Sequence, residues 1–463
     1  MLFHSVTFIL LFLPISFLLY YIVPDSWKNR VLLLESLVFY AFGNLKYLPL
    51  ALGLVLIDYL FAHAFKRISR TSRCRRALLV TSLVVNVLLL LAFKYGSYLT
   101  WVLNRITHGD ITFFDVLPLG ISYYLFKLIS YLCDVYQEKC EPEKNFIDFA
   151  VYVLMYPQMI VGPIIRYTDI RDDLKNPKQR RNPECCLQGI RMFVYGLAKK
   201  VILADTLGRL WEALAGTEGI GLAQASSGLV WLAVLAYSLQ LYLDFSGYSE
   251  MSNGLSCLLG FSCKKNFDYP YLAGSVTEFW RRWHITLSEW FRDYVYIPLG
   301  GNRKGAVRQI FNMLVVWLLT GIWHGHTANF LVWGLYYFIF LVLEKYVLQK
   351  WLKKYPVLGH IYTLLVAVTG WGIFAADGAQ ITFVALLHKM FCFSDGVSAL
   401  YFLRNYGVTL LLSMAVSGGC CRKIQRRLER NRWVEAVWLI LLFLISFAYV
   451  VGSTGRAALY AGF

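Results

Sequence analysis

Charged residues are scarce in this chain: they make up 16% of its 463 residues, whereas about a quarter of the residues in a soluble domain are charged. Long polar stretches, internal repeats and low-complexity segments are also missing. The shortage of charge argues against a soluble enzyme, and without a long polar stretch we expect no appended soluble domain. The composition is that of a protein that folds in an apolar environment.

Motifs for two common kinds of active site are absent as well. The ten cysteines form no C-x-x-C pair and do not combine with histidine at the spacing of a metal site. No G-x-S-x-G sequence occurs, which argues against a covalent serine route. We therefore expect no metal ion and no resident cofactor.

Apolar sequence is what the chain has in abundance, with 58% hydrophobic and 17% aromatic residues. Apolar runs of about 18 residues or more predict transmembrane helices, and a helix satisfies its own backbone hydrogen bonds in lipid. We predict an all-α polytopic membrane protein with about 11 transmembrane helices. The predicted spans lie near 5–24, 31–43, 47–65, 77–95, 116–135, 187–206, 228–247, 310–326, 328–346, 360–376 and 434–452.

Other apolar pieces are short, charged or interrupted by glycine and proline: 146–165, 249–262, 279–299, 381–392 and 404–419. Such pieces are tolerated at membrane depth only when they are buried in protein or line a cavity. We therefore predict re-entrant or interfacial helices around a central tunnel, within a single membrane-embedded domain that spans 1–463. Its core is expected at about 116–346, between N-terminal helices in 1–115 and C-terminal helices in 347–463.

The net charge of +17 is concentrated in short loops between the apolar runs. Residues 66–76 include six basic side chains and no acidic one, and 166–181 and 422–432 are also rich in basic residues. This pattern is typical of cytoplasmic loops, which also contact anionic lipids. It predicts that the N-terminus lies outside the cell, and we expect no nucleic acid partner.

One stretch mixes charge with aromatic residues: FWRRWHITLSEWFRDYVYIPLGGNR, residues 279–303, contains four arginines and a histidine. We predict a helix over 278–297, on which Glu278 can pair with Arg282. Its apolar face would consist of Trp280, Trp283 and Leu287. The helix could lie in the membrane interface, or it could present His284, which lies beside that face, to a functional site. The residues alone leave both interpretations open.

A second histidine lies at predicted membrane depth, in LLTGIWHGHTANFLVWG (318–334). An ionisable group is costly there and indicates a functional site, and imidazole suits proton transfer near neutral pH. His324 is flanked by Gly321 and Gly325, which would allow close approach. It could also serve only as a hydrogen-bonding group between helices. We interpret His326, two residues further on, as structural.

Several long motifs make the chain recognisable: EFWRRWHITLSEWFRDYVYIPLGGNR (278–303), GIWHG (321–325), PLGISYYLFKLISYLCDVY (118–136), NFIDFAVYVLMYPQMIVGPIIRY (145–167), LQLYLDFSGYSEMSNGL (239–255) and NFDYPYLAGSVTEFW (266–280). Together they resemble the membrane-bound O-acyltransferase family, and in particular its bacterial branch of alginate and peptidoglycan O-acetyltransferases. The resemblance covers roughly residues 30–345.

The resemblance implies a histidine-dependent enzyme. His324 matches the family's active histidine, and His284 matches the second, less uniformly required one. An acyl group, expected to be acetyl, would pass from a cytoplasmic thioester donor such as acetyl-CoA to a hydroxyl group in a tunnel through the membrane. His324 would act as general base on that hydroxyl.

Residues near the two histidines are the candidates for supporting them and for binding substrate. Asp244, Asp293 and Arg281 are predicted to orient the histidines. The full predicted substrate-binding set is Arg281, Trp283, Asp293, Asn302, Trp323 and Asp244.

The resemblance also implies partners. In this branch the acyl group is handed to a separate exported protein, so we expect an extracytoplasmic, esterase-like transferase, a polysaccharide acceptor and a location in the bacterial cytoplasmic (inner) membrane. The predicted outside loop 94–115 is too short for a glycan-modifying domain. The basic loops, 166–181 in particular, are expected to recruit an anionic donor, because arginine and lysine suit phosphate.

Two alternative functions stay open at this point. One is transfer of D-alanine from a carrier protein to teichoic acid, although the sequence YIPLGGNR (296–303) favours the acetyl branch. The other is a non-enzymatic transporter or conduit, which broken spans and buried charges would also suit.

Overall fold

The computed structural model describes residues 1–110, 117–180, 182–216, 219–379 and 381–452. Within these ranges the chain is built from helices and their connections, and its one β-type contact is an isolated bridge between Ala225 and Val397. The all-α prediction is thereby confirmed for the described part of the chain.

The described residues form two compact units. The first contains Met1–Phe193 and Ser249–Lys264, and the second contains Val194–Tyr248 and the described residues from Lys265 onward. Both candidate histidines, His284 and His324, belong to the second unit. The predicted single domain with its core at 116–346 stays a prediction.

The first unit is built mainly from the N-terminal helices. They are α1 (Leu13–Ile22), α2 (Lys28–Asn44), α3 (Leu48–Arg67), α4 (Arg73–Lys94), α5 (Gly96–Thr107), α6 (Ile121–Tyr136), α7 (Phe146–Leu154), α8 (Tyr167–Lys175) and α9 (Pro183–Ala198), whose end enters the second unit. The predicted interrupted piece 146–165 is confirmed: α7 ends at Leu154, and the following segment, irregular apart from a 3-10 turn at Tyr156–Gln158, is buried as far as Ile165. Burial in protein is what permits irregular backbone in such a segment.

The second unit carries most of the later helices. They are α10 (Asp205–Ala215), α11 (Ser227–Leu258), α12 (Val276–Arg282), α13 (Ile285–Phe291), α14 (Gly305–His324), α15 (Ala328–Leu343), α16 (Gln349–Lys354), α17 (Pro356–Ala375), α18 (Phe383–Phe391), α19 (Leu400–Ser417), α20 (Cys421–Leu428) and α21 (Arg432–Gly452).

The interpretation of 249–262 as a separate broken piece is wrong. Helix α11 continues through Gly254 to Leu258, and its last residues belong to the first unit. A Cβ atom at Gly254 would lie 2.6 Å from the carbonyl oxygen of Gly189 in α9. The glycine therefore serves close helix packing and does not break the helix.

Seven helical segments in the described ranges are long and apolar enough to cross a membrane: Asp25–Arg67, Arg73–Lys94, Ser227–Leu258, Gly305–His324, Ala328–Lys354, Pro356–Ala379 and Arg432–Gly452. They support a multi-pass membrane protein. The number of about 11 spans stays a prediction, since α6 has only 16 residues and the first apolar helix, Phe8–Ile22, is also short.

Helices α14 and α15 pack closely because glycine lies at their contact. A Cβ atom at Gly321 would be 2.6 Å from the carbonyl oxygen of Phe330, and one at Gly334 would be 2.5 Å from that of Trp317. Only glycine allows two backbones to approach so far. This contact brings the aromatic residues of α15 against the end of α14, where His324 lies.

Candidate functional site

His284 lies at a break between two short helices, so the predicted single helix over 278–297 is wrong. Helix α12 ends at Arg282, α13 begins at Ile285, and His284 adopts a left-handed backbone conformation with φ 42° and ψ 56°. The predicted pair within α12 is confirmed, because Arg282 and Glu278 form an ion pair at 2.5 Å.

The helix breaks because Asn266 takes over its hydrogen bonds. The carbonyl oxygen of Asn266 accepts from the backbone N–H of Ile285 at 2.9 Å, and its side-chain Oδ1 accepts from that of Thr286 at 3.3 Å. The first N–H groups of a helix need such outside acceptors. A residue that is distant in sequence thereby starts α13 and holds His284 in its strained conformation.

The His284 side chain is buried in an apolar pocket with one polar partner. Its Nδ1 lies 3.1 Å from Oδ1 of Asn266, and its ring packs edge-on against Phe245, with 4.7 Å between ring centroids. Burial lowers the pKa of the imidazole to about 3. His284 is therefore neutral at pH 7.

Helix α12 is anchored at its other end by Glu344, which follows α15. The Glu344 carboxylate accepts from the backbone N–H groups of Val276 and Thr277 and from the Thr277 hydroxyl, the latter two at 2.8 and 2.7 Å. A carboxylate is favourable at a helix N-terminus, where N–H groups lack partners. Glu344 is 3% exposed, and it ties the helix that precedes His284 to the end of α15.

His324 is the last residue of α14 and is packed among aromatic rings. Its ring centroid lies 4.6 Å from that of Trp323, 5.0 Å from Trp333 and 5.1 Å from Phe374. The side chain is 5% exposed. The next residue must be small, because a Cβ atom at Gly325 would lie 2.4 Å from the ring of Phe330.

An aromatic cluster connects the surroundings of the two histidines. Trp333, which contacts His324, stacks on Trp371 at 6.0 Å, and Trp371 packs against Trp283 at 4.6 Å. Trp283 is the neighbour of His284 in sequence, and all three tryptophans are almost fully buried. Polar interactions in such apolar surroundings are stronger than in water. The predicted central tunnel stays a prediction.

Five of the six residues predicted to bind substrate fall into two groups, and Asp244 is described below. Trp283 and Trp323 lie beside the histidines, in the aromatic surroundings just described. Arg281 and Asn302 are at the exposed surface, and Asp293 accepts a hydrogen bond from Arg292 at 2.6 Å. Their role in substrate binding stays a prediction.

Asp244 lies in a buried ion cluster. The Lys200 ammonium is 2.7 Å from Asp244 and 2.7 Å from Asp205, and all three side chains are buried. Among the described residues His284 hydrogen-bonds to Asn266 and to none of Asp244, Asp293 and Arg281. That these three orient the histidines stays a prediction.

Sequence reasoning missed four residues that shape the site: Asn266, Glu344, Trp333 and Trp371. Asn266 opens the quoted motif NFDYPYLAGSVTEFW, and that position was a usable signal. Glu344, a single carboxylate after a long apolar helix, was another, since charge at membrane depth is costly. The two tryptophans have no distinguishing local signal.

Residues 143–388 match the sequence model of MBOAT, the membrane-bound O-acyltransferase family, and this segment contains both histidines. The chain is 36% identical to a "Probable alginate O-acetylase AlgI" of Pseudomonas putida, over 85% of this chain and 81% of the relative. It is 30% identical to a "Peptidoglycan O-acetyltransferase" of Helicobacter pylori, over 100% and 98%. A "Teichoic acid D-alanyltransferase" of Bacillus subtilis is 26% identical over 51% of this chain and 61% of the relative.

The match to the family extends over more than half of the chain, and the similarity to the bacterial relatives over most of it. With a helical membrane architecture and two buried histidines in the matched segment, the chain belongs to the membrane-bound O-acyltransferase family and is a multi-pass membrane O-acyltransferase.

Proposed function

We propose that this protein moves an acetyl group from a cytoplasmic thioester donor across the membrane towards a hydroxyl of an extracytoplasmic polysaccharide, with His324 as general base. The observation that carries the proposal is the position of His324: a 5% exposed imidazole at the end of an apolar helix, enclosed by aromatic rings. Relatives named as alginate and peptidoglycan O-acetyltransferases support the choice of acetyl and of a polysaccharide acceptor.

The chemistry needs a proton acceptor and protection from water. The hydroxyl oxygen attacks the thioester carbonyl carbon, the C–S bond breaks, and the hydroxyl proton passes to the His324 imidazole, which returns it to the leaving thiolate. Such general-base catalysis contributes about 10²–10⁴-fold. The packed rings of Trp333 and Phe374 keep water away from the histidine, which favours transfer over hydrolysis of the thioester.

The donor is proposed to be acetyl-CoA or another acyl thioester. Transfer of D-alanine from a carrier protein is the second candidate, because teichoic acid D-alanyltransferases are also similar to this chain. That similarity covers 51% of the chain, whereas the similarity to the O-acetylase relatives covers 85%. The broader match favours acetyl.

The setting of the reaction is part of the proposal. We place the protein in the bacterial cytoplasmic membrane with its N-terminus outside, and we expect an extracytoplasmic esterase-like transferase to receive the acetyl group. The predicted outside loop 94–115 contains the helix α5 (Gly96–Thr107), which lies between α4 and the buried helix α6. No large outside domain lies in the described ranges. The acceptor chemistry must then be completed by another protein.

The test is donor turnover by the purified protein in proteoliposomes, with an exported transferase added to supply the acceptor. Release of free thiol from acetyl-CoA is compared with release from a D-alanyl carrier thioester, for the wild type and for His324→Ala, with His326→Ala as the matched control. We expect turnover of the acetyl donor that His324→Ala abolishes and His326→Ala largely keeps. Turnover of the D-alanyl donor alone would overturn the acetyl assignment, and an active His324→Ala would overturn the assignment of the base.

A further inference from the structure

Asn266 holds His284 through one oxygen atom with three neighbours. Oδ1 of Asn266 lies 3.1 Å from Nδ1 of His284, 3.3 Å from the backbone nitrogen of Thr286 and 2.8 Å from the Thr286 hydroxyl. A backbone N–H is always a donor, so the atom that faces it must be the amide oxygen and not the amide nitrogen. The orientation of the Asn266 amide follows from this contact.

The orientation of the amide decides where His284 carries its proton. An amide oxygen only accepts hydrogen bonds, so Nδ1 of His284 must be the donor. A neutral imidazole has one N–H group, and burial keeps this ring neutral at pH 7. The second nitrogen, Nε2, therefore carries a lone pair and no proton.

That lone pair is buried and unused by the protein. Nε2 of His284 has no hydrogen-bond partner among the described residues, and the side chain is 3% exposed. Buried polar atoms in native proteins are nearly always paired, so each exception needs an explanation. The strained left-handed backbone at His284 is a second local cost, and such strain is concentrated at functional sites. A histidine that only filled space would need neither feature.

We propose that Asn266 is a positioning residue that fixes His284 in its Nδ1–H tautomer, so that the Nε2 lone pair accepts a hydrogen bond from the acceptor hydroxyl during acyl transfer. This inference rests on the proposed function for the identity of the hydroxyl. His324 remains the group that takes the proton. Thr286 supports the arrangement by donating both its N–H and its hydroxyl to the same amide oxygen.

Two substitutions separate this role from simple packing. Asn266→Leu keeps the approximate size and removes the acceptor, whereas Asn266→Asp keeps an oxygen opposite Nδ1 of His284. We expect Asn266→Leu to lower turnover about 10- to 100-fold, the size of the loss when an orienting partner of a metal-bound histidine is removed, with little change in the donor KM. Asn266→Asp should keep most of the wild-type turnover.

The matched control is Asn312→Leu in the same unit. Asn312 is also buried, and its side-chain amide donates to the carbonyl oxygen of Gly301 at 2.9 Å, away from His284. If Asn266→Leu and Asn312→Leu lower turnover equally and in proportion to the amount of folded protein, the positioning role is overturned. It is also overturned if Asn266→Asp is as inactive as Asn266→Leu while both accumulate normally.

The tautomer itself is measured by nitrogen-15 NMR of the histidine-labelled protein in lipid, with His284→Gln used to identify the signal. We expect an unprotonated Nε2 in the wild type and in Asn312→Leu, and a changed signal in Asn266→Leu. A protonated Nε2 in the wild type overturns the inference. This measurement needs no turnover, so failure of the proposed acetyl transfer and failure of the tautomer assignment are distinguishable.

Discussion

His324 and His284 are both buried, but they are held in different ways. His324 ends a long apolar helix among aromatic rings, whereas His284 lies in a break between short helices and bonds to Asn266. The first arrangement suits a proton acceptor that must exclude water. The second suits a group that holds a substrate in position.

The three histidines of this region should therefore respond differently to alanine. His324→Ala is expected to abolish acyl transfer while the protein still inserts and accumulates, with a loss above about 10²–10⁴-fold if the residue also positions the acceptor. His284→Ala should reduce turnover less, and His326→Ala only mildly. The measurement is thioester turnover in proteoliposomes, normalised to the amount of folded protein. Equal losses in all three variants together with falling protein levels would indicate a packing role instead.

A functional residue could be predicted from the sequence only where the neighbouring residues marked it as unusual. His324 follows a long uncharged run, so its cost in the membrane was visible in the sequence. Asn266 lies 18 residues before His284, in a segment with no helical period that would relate the two. Asp244 and Lys200 are likewise 44 residues apart in the sequence, and only the fold brings them into an ion pair.

At the scale of helices, Glu344 should control how firmly α12 is held. Glu344→Ala removes the acceptor for the N–H groups of Val276 and Thr277, and a hydrogen bond to a charged group is worth about 1.5–3 kcal/mol. We expect a lower unfolding temperature in detergent and reduced turnover. Glu429→Ala, at an exposed carboxylate near α20, is the control. A variant as stable and active as the wild type would show that α12 is anchored by other contacts.

Helix α20 and the residues after it form the most basic exposed surface in the second unit. The cations in this surface are Arg422, Lys423, Arg426, Arg427, Arg430 and Arg432, and no ion pair to any of them is resolved among the described residues. In the predicted donor loop 166–181, two of the cations already have partners within the protein. Arg180 is buried and donates a hydrogen bond to Tyr20, and Arg171 forms an ion pair with Asp172. Arg181 lies outside the described residues.

Donor recruitment by 166–181 stays a prediction, and the exposed cations of α20 are a second candidate for this role. Charge reversal at Arg426 and Arg427 is expected to raise the KM of an anionic thioester donor several-fold, and added salt should shrink the difference between variant and wild type because it screens exposed charges. Arg171→Glu, in a position that already pairs with Asp172, should have a smaller effect. An unchanged KM with normal membrane insertion would indicate that these residues only set the orientation of the chain in the membrane.

At the scale of the whole molecule, we expect the protein to be insufficient for modifying a glycan. The predicted outside loop 94–115 is largely taken up by α5 (Gly96–Thr107), and its residues 111–115 lie outside the described residues. Purified protein with acetyl-CoA should leave free polysaccharide unmodified, and thiol release together with acetylated polysaccharide should appear once an exported transferase is added to accept the acetyl group. Acetylated polysaccharide detected by mass spectrometry without any partner would contradict this expectation.

Local sequence patterns were enough to predict a helical membrane protein and to single out the two histidines. Apolar runs of helix length and loops rich in basic residues are local properties, so they can be counted along the chain. The motifs that carry the family resemblance are likewise continuous stretches, which is why the family could be inferred before the fold was known.

How the histidines are held depends on contacts between elements that form only in the folded chain. The break at His284 exists because Asn266 offers better acceptors than the helix that the local pattern predicts, and the start of α12 depends on a carboxylate after α15. The aromatic surroundings of His324 are assembled from α14, α15 and α17 by close packing at Gly321 and Gly334. Each of these contacts joins residues of different elements, and no periodicity in the sequence encodes which element will supply a hydrogen bond or a ring.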